Sequence, residues 1–285
     1  MRSLIKKSVY GALRPALLAL SRRQGVIVGL CGHRFESARR ADPKAGMAVT
    51  ADVFRRQLEI LHSVGSFVSV DEAVASPPTR GVRFMLCFDD GYRDNATILL
   101  PILQAEKIPC CVYVVTGLAC GTVAGLEHDR RAGYEPPALA ETEVRDLSRD
   151  PLITIGSHTV SHRRLGRLSR DEMERELVES KRWLESCTGR PVVHFAAPFG
   201  QRDDVAGPLV AGALAAAGYR TLASNFGGVN LAGRLEQTGP RGAELFHLRR
   251  VPLPSAEDSA TLLGWVLGLS NLRERLRPQR VLPPP

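Results

Sequence analysis

From Val26 onward, short apolar runs alternate with stretches of helical period. The apolar runs predict strands over 26–31, 67–70, 82–88, 110–115, 152–155, 192–196, 221–223 and 248–253. Helical spacing falls between them, over 53–64, 97–106, 141–147, 169–186, 205–217 and 261–276. Strands that alternate with helices in this way build a parallel sheet or barrel with the helices outside it, so the expected class is α/β, a distorted (β/α) barrel of about seven strands. The best-marked helix opens with Ser169 and Glu172 in capping-box spacing, where each side chain satisfies a backbone N–H of the first turn. Its apolar stripe is Met173, Leu177 and Leu184, with Lys181 packing through its stem, and Gly189 and Pro191 end it. Residues 117–137, rich in glycine, proline and charge, read as a long loop that follows a strand and shapes access to the barrel end.

A chain of 285 residues with 44% apolar and 24% charged residues buries enough surface for one large core and is not of low complexity. We expect one domain over 26–255, between a basic segment over 1–25 and an amphipathic basic helix and tail over 256–285. The net charge of +8 gathers at the ends, in Arg2, Lys6, Lys7, Arg14, Arg22 and Arg23, and again in Arg273, Arg275, Arg277 and Arg280. Such flanks are either solvated or held against an anionic membrane surface. The stripe of Leu262, Trp265, Leu269, Leu272 and Leu276 carries the same pair of readings, packing on the barrel or on a membrane. Nucleic acid is not an expected partner, because aromatic residues are only 6% of the chain and no binding motif is present. Arg14 and Pro15 interrupt the first apolar stretch, no cleavage site follows it, and no run has membrane-spanning length. The six cysteines show no paired spacing, and Cys31, Cys87, Cys110 and Cys111 lie in apolar runs as core residues do. We expect a cytoplasmic location, or one peripheral to the inner membrane surface.

Chemistry concentrates where predicted strands end. Phe84-Met85-Leu86-Cys87-Phe88 runs into Asp89-Asp90-Gly91, two adjacent carboxylates at the strand end where barrels place their active sites. Alone, Asp-Asp-Gly is an ordinary turn sequence. Ile153-Thr154-Ile155-Gly156, however, runs in the same way into Ser157-His158-Thr159-Val160-Ser161-His162. A helical turn after Gly156 would put both imidazoles on one face, and two histidines with one carboxylate hold a metal ion while leaving positions open for water and substrate.

With Ala197-Pro198-Phe199-Gly200 further on, these motifs resemble the polysaccharide deacetylase family, carbohydrate esterases that share the NodB homology domain, over residues 26–253. The resemblance implies a NodB-like barrel that hydrolyses the N-acetyl amide of an amino sugar in a cell-envelope glycan, an oligosaccharide or a lipid-linked saccharide. It implies Asp89 as general base and Asp90, His158 and His162 as ligands of a divalent metal, zinc by default, although other divalent transition metals suit the set. The backbone N–H of Phe199, in the turn Pro198-Phe199-Gly200, would face the oxyanion. Relatives protonate the departing amine with a histidine near the C-terminus, but none follows His247 here. Leu30-Cys31-Gly32-His33 looks instead like family members with a circularly permuted sheet, which makes His33 the candidate acid; a structural histidine capping the strand end is the other reading. Many relatives carry an arginine where this chain has Ala196, leaving Arg249 or Arg250 to tether the base, and the family's Asp-x-x-Asp-Trp segment is not recognisable. Two further readings stay open: a related hydrolase of a non-sugar amide or an N-formyl sugar, and a catalytically silent carbohydrate-binding homologue.

Overall fold

The structure is a computed structural model that describes residues 25–36, 48–131, 133, 135–205, 207–226, 228–232, 235–253 and 262. The expected basic segment over 1–25, apart from Gly25, and the expected C-terminal helix over 261–276, apart from the buried Leu262, lie outside the described residues.

Seven principal strands occur in chain order: β1 (Val26–Gly32), β2 (Val82–Phe88), β3 (Cys110–Val114), β4 (Ile153–Ser157), β5 (His194–Ala196), β6 (Thr221–Ser224) and β7 (Phe246–Pro252). Followed along hydrogen bonds, the order is β1-β7-β6-β5-β4-β3-β2, with a further pairing of β1 and β2 that makes the order a ring. The pairings of β1 with β7, β3 with β4, β4 with β5 and β5 with β6 are parallel, which is the α/β-barrel class expected from the alternation. Almost every position of β2 and β3 is buried, as strands covered on both faces require.

The chain divides into two compact units. Among the described residues, the first draws on 25–36, 48–86, 225–226, 228–232, 235, 249–253 and 262. It buries Phe54, Leu58 and Leu61 of the helix Ala51–His62 and also Ile27, Leu30 and Phe84, and the Phe35 and Phe54 rings meet edge to face at 5.5 Å. The second draws on the described residues of 87–224 and 236–248. It contains β3 to β6 and the helices Glu141–Arg149, Arg170–Thr188 and Pro208–Ala216. The helix Arg170–Thr188 forms as expected: the Ser169 hydroxyl accepts from the Glu172 N–H, Glu172 accepts in return, and Gly189 closes the end at φ 67°.

Four differences from the expected pattern have local causes. Residues 67–70 do not form one strand, because Ser69 and Glu72 make a second reciprocal capping box and start the helix Val70–Ala75. The segment 205–217 breaks into Arg202–Val205 and Pro208–Ala216 at Gly207, whose φ of 118° interrupts any helix. The helix over 97–106 begins with a π-helical turn, Asn95–Leu99. Finally, 117–137 is not all loop, since the short helices Thr116–Ala119 and Glu127–Arg131 interrupt it.

Candidate metal and catalytic site

β2 delivers Asp89 and Asp90 from a buried strand, and each is only 1% exposed. Asp90 has φ 73°, a left-handed conformation that few residues other than glycine, asparagine and aspartate adopt, and its carbonyl accepts from the Val115 N–H at 3.3 Å. Gly91 follows at φ 77°, where an added Cβ would press on Val114 at 3.2 Å.

His158 leaves β4 with its backbone N–H on the Val114 carbonyl at 3.0 Å. The segment beyond it is not helical. Thr159 and His162 both occupy the left-handed region, with φ 68° and 58°, and this pair of reversals, not a helical turn, brings the imidazoles together at 5.1 Å between ring centroids. Left-handed residues other than glycine cost about 1–2 kcal/mol each, so the surroundings must hold them. The Thr159 hydroxyl accepts from the His162 N–H at 3.0 Å, and the Thr159 and Val160 carbonyls accept from the Thr116 and Gly117 N–H groups at 3.1 and 2.8 Å. The largest anchor is Glu176, a buried carboxylate on the helix Arg170–Thr188. It accepts from the Val160 N–H at 2.8 Å, from the Ser161 N–H at 2.9 Å, and from the Ser161 hydroxyl.

The Nε2 atoms of His158 and His162 lie 3.5 and 3.3 Å from Asp90 Oδ1. The Nδ1 of His158 is 2.8 Å from the Ala196 carbonyl. A carbonyl only accepts, so the Nδ1 carries a proton, and in the neutral imidazole Nε2 is the nitrogen left to bind a metal. Ligands about 2.1 Å from a shared tetrahedral ion stand roughly 3.4 Å apart, which is the spacing found. The donor atoms of Asp90, His158 and His162 lie within 4.8 Å of one another, so the set fits a divalent ion in both chemistry and spacing. Asp89 Oδ2 is 4.0 Å from His158 Nε2, adjacent to that set but outside it.

The Pro198-Phe199-Gly200 turn reverses through two consecutive left-handed residues, Phe199 at φ 63° and Gly200 at φ 59°. Its ring packs on His162 at 4.9 Å between centroids, and the Arg164 guanidinium lies 3.9 Å from the ring centre. Arg164 is fixed in turn by Asp204 at 2.7 Å, and Asp204 also accepts from the Gln201 N–H at 3.2 Å. Burial pushes the Asp204 carboxyl above its ordinary range, while the Arg164 charge and the Gln201 N–H pull the other way. On the remaining side, the Tyr92 hydroxyl donates to Asp129 at 2.6 Å and meets His128 Nε2 at 3.1 Å, and the His128 ring stands 5.8 Å from that of His162.

The structure thus brings Asp89, Asp90, His158, His162 and the Pro198-Phe199-Gly200 turn into one unit. His33, Arg249 and Arg250 belong to the other. His33 is half-buried directly after β1. Arg250 is fully buried on β7, opposite Gly29, where a Cβ would come within 2.7 Å of its side chain. The Arg249 backbone N–H donates to Asn230 Oδ1 at 2.8 Å. Sequence reasoning missed Glu176, Arg164, Asp204 and the Tyr92–His128–Asp129 cluster. Glu176 alone left a signal, a carboxylate beside Leu177 on the apolar stripe of a well-marked helix.

Comparison with known proteins matches residues 76–222 to a family model described as polysaccharide deacetylase. The Bacillus subtilis protein YxkH is 22% identical over 120 residues, an alignment that covers 42% of this chain and 38% of YxkH. The chain therefore matches well under half the length of that relative. Among solved structures, the Streptococcus pyogenes deacetylase PplD in complex with acetate superposes with a TM-score of 0.64 at 20% identity, covering 85% of this chain and 99% of PplD. IcaB from Ammonifex degensii also gives 0.64, at 19% identity, covering 86% of this chain and 97% of IcaB. At these identities the superpositions establish a shared fold.

Proposed function

This chain belongs to the polysaccharide deacetylase family, whose members hydrolyse carbon–nitrogen amide bonds, and from that premise we propose that it removes the N-acetyl group of an amino sugar in a glycan, an oligosaccharide or a lipid-linked saccharide. One observation carries the reading: Asp90 Oδ1 stands 3.3 and 3.5 Å from two imidazole nitrogens, and the Ala196 carbonyl sets the tautomer of one of them. Asp90, His158 and His162 hold the divalent ion, with zinc the default. When bound, it supplies Lewis acidity toward a water molecule and the acetyl carbonyl.

The protein's own groups do the rest. Asp89, on the same turn but outside the ligand set, accepts a proton from the attacking water as the carbonyl carbon becomes tetrahedral. The Phe199 N–H, its direction fixed by the left-handed turn, donates to the oxygen that gains charge. The amide C–N bond then breaks, acetate departs, and the sugar nitrogen leaves as an amine once it gains a proton. His33 as the donor of that proton, and Arg249 or Arg250 as the tether of Asp89, rest on the sequence resemblance.

Acetate release from N-acetylglucosamine oligomers by the zinc-loaded chain, abolished by a chelator and restored by added metal, is the direct test. Absence of release from every N-acetylated glycan offered to metal-loaded, folded protein would overturn this function.

A further inference from the structure

Beside His162 and Phe199 opens a cleft of about 630 Å³, within the range of small-molecule sites and roomy enough for a sugar ring with a substituent. Its wall carries four guanidinium groups, those of Arg130, Arg163, Arg164 and Arg167, against the one carboxylate of Glu127. They come from separate elements: Arg130 from the helix Glu127–Arg131, and the other three from the loop and 3-10 turn that follow His162. Several of these charges are balanced locally. Arg163 pairs with Glu172 at 3.0 Å, Arg164 with Asp204 at 2.7 Å, and Glu127 with Arg131. Subtracting those pairs leaves Arg130 and Arg167 as the positive excess of the wall, Arg167 also feeling the charge of the Asp204 carboxylate that Arg164 holds.

A neutral N-acetyl glycan offers such a wall nothing that ordinary hydroxyl donors and acceptors would not satisfy as well. Guanidinium groups are suited to planar or tetrahedral oxyanions, which they grip with paired N–H donors. Resting on the deacetylase reading, we propose that this cleft is a subsite for an anionic group, a phosphate or a carboxylate, carried by the sugar unit beside the acetamido group that is cut. Arg130 and Arg167 make the contact. Arg164, held by Asp204 and by the Phe199 ring, keeps the boundary between this subsite and His162 in place.

Calorimetric titration of the full chain with N-acetylglucosamine, N-acetylglucosamine 1-phosphate and N-acetylmuramic acid tests this without relying on turnover. At least one anionic sugar should bind tenfold or more tighter than the neutral one, and the preference should shrink as sodium chloride rises from about 50 to about 500 mM. Whichever anionic sugar binds tighter identifies the group as phosphate or carboxylate. Arg130→Gln and Arg167→Gln, both at exposed positions, should each reduce the preference at least threefold. Equal binding of all three sugars, or a preference untouched by both substitutions, would overturn the subsite. Acetate release measured on the same samples separates the two readings: anion preference without release from any acetylated glycan keeps the subsite and removes the deacetylase, and release without preference does the reverse.

Discussion

Replacing Glu176 by Gln perturbs the metal centre without touching a ligand. The carboxylate accepts from two backbone N–H groups at 2.8 and 2.9 Å and from the Ser161 hydroxyl, all on the segment between the two histidines. Hydrogen bonds to a charged acceptor contribute about 1.5–3 kcal/mol and those to a neutral one about 0.5–1.5, so the amide weakens each backbone bond by about 1 kcal/mol. Val160 and Ser161 are half-buried, so water recovers part of this and a total near 2 kcal/mol is the upper figure. Those bonds hold Thr159 and His162 in left-handed conformations that relax once the anchor weakens. A loop whose competent form is destabilised by that amount should bind metal about 10- to 30-fold more weakly. Competition against a chromogenic chelator gives the zinc affinity, and far-ultraviolet circular dichroism reports whether the barrel is intact. A folded Glu176→Gln protein with zinc affinity within about threefold of the unsubstituted chain would refute the reasoning.

Three other perturbations act on residues that are not ligands. Gly117→Ala places a Cβ 2.4 Å from the Val160 carbonyl oxygen and 2.7 Å from a Val123 methyl group, so it should cost about 1–3 kcal/mol in urea unfolding and weaken zinc binding in parallel. Ser169→Ala removes the cap of the helix Arg170–Thr188 and should lower stability by about 1 kcal/mol at neutral pH. The Ser169 backbone N–H and hydroxyl, with Arg163, hold Glu172 down from 4.5 to about 2. Its contribution is therefore complete above pH 4.5 and lost as pH falls toward 2, and urea midpoints of Glu172→Gln and the unsubstituted chain should converge across that window.

Strands and the candidate site were legible for one reason: a buried apolar run that ends abruptly in Asp-Asp-Gly or Ser-His-Thr marks both a strand and the barrel end where chemistry is expected. The path of the chain between His158 and His162 was not. Spacing of four suggests a helical turn, while the observed loop depends on left-handed residues at Thr159 and His162, a conformation that β-branched threonine rarely adopts and that histidine tolerates without signalling it in the sequence. Glu176 reads as one more charge on a polar helix until its burial is known. Ser69 and Glu72 have the same spacing as Ser169 and Glu172, yet Phe67-Val68-Ser69-Val70 also reads as a short apolar run, and the capping box prevailed. Arg164 and Asp204 meet across 40 positions with no periodicity to connect them, so only the folded chain reveals that they brace Phe199.

Zinc stoichiometry and acetate release measured together on three proteins test the centre most directly. The unsubstituted chain should bind one ion and release acetate, Asp90→Ala should lose both, and Asp89→Asn should keep the ion while turnover falls by at least about 100-fold. Full zinc affinity in Asp90→Ala, or full turnover in Asp89→Asn, would contradict the assignment of ligand and base.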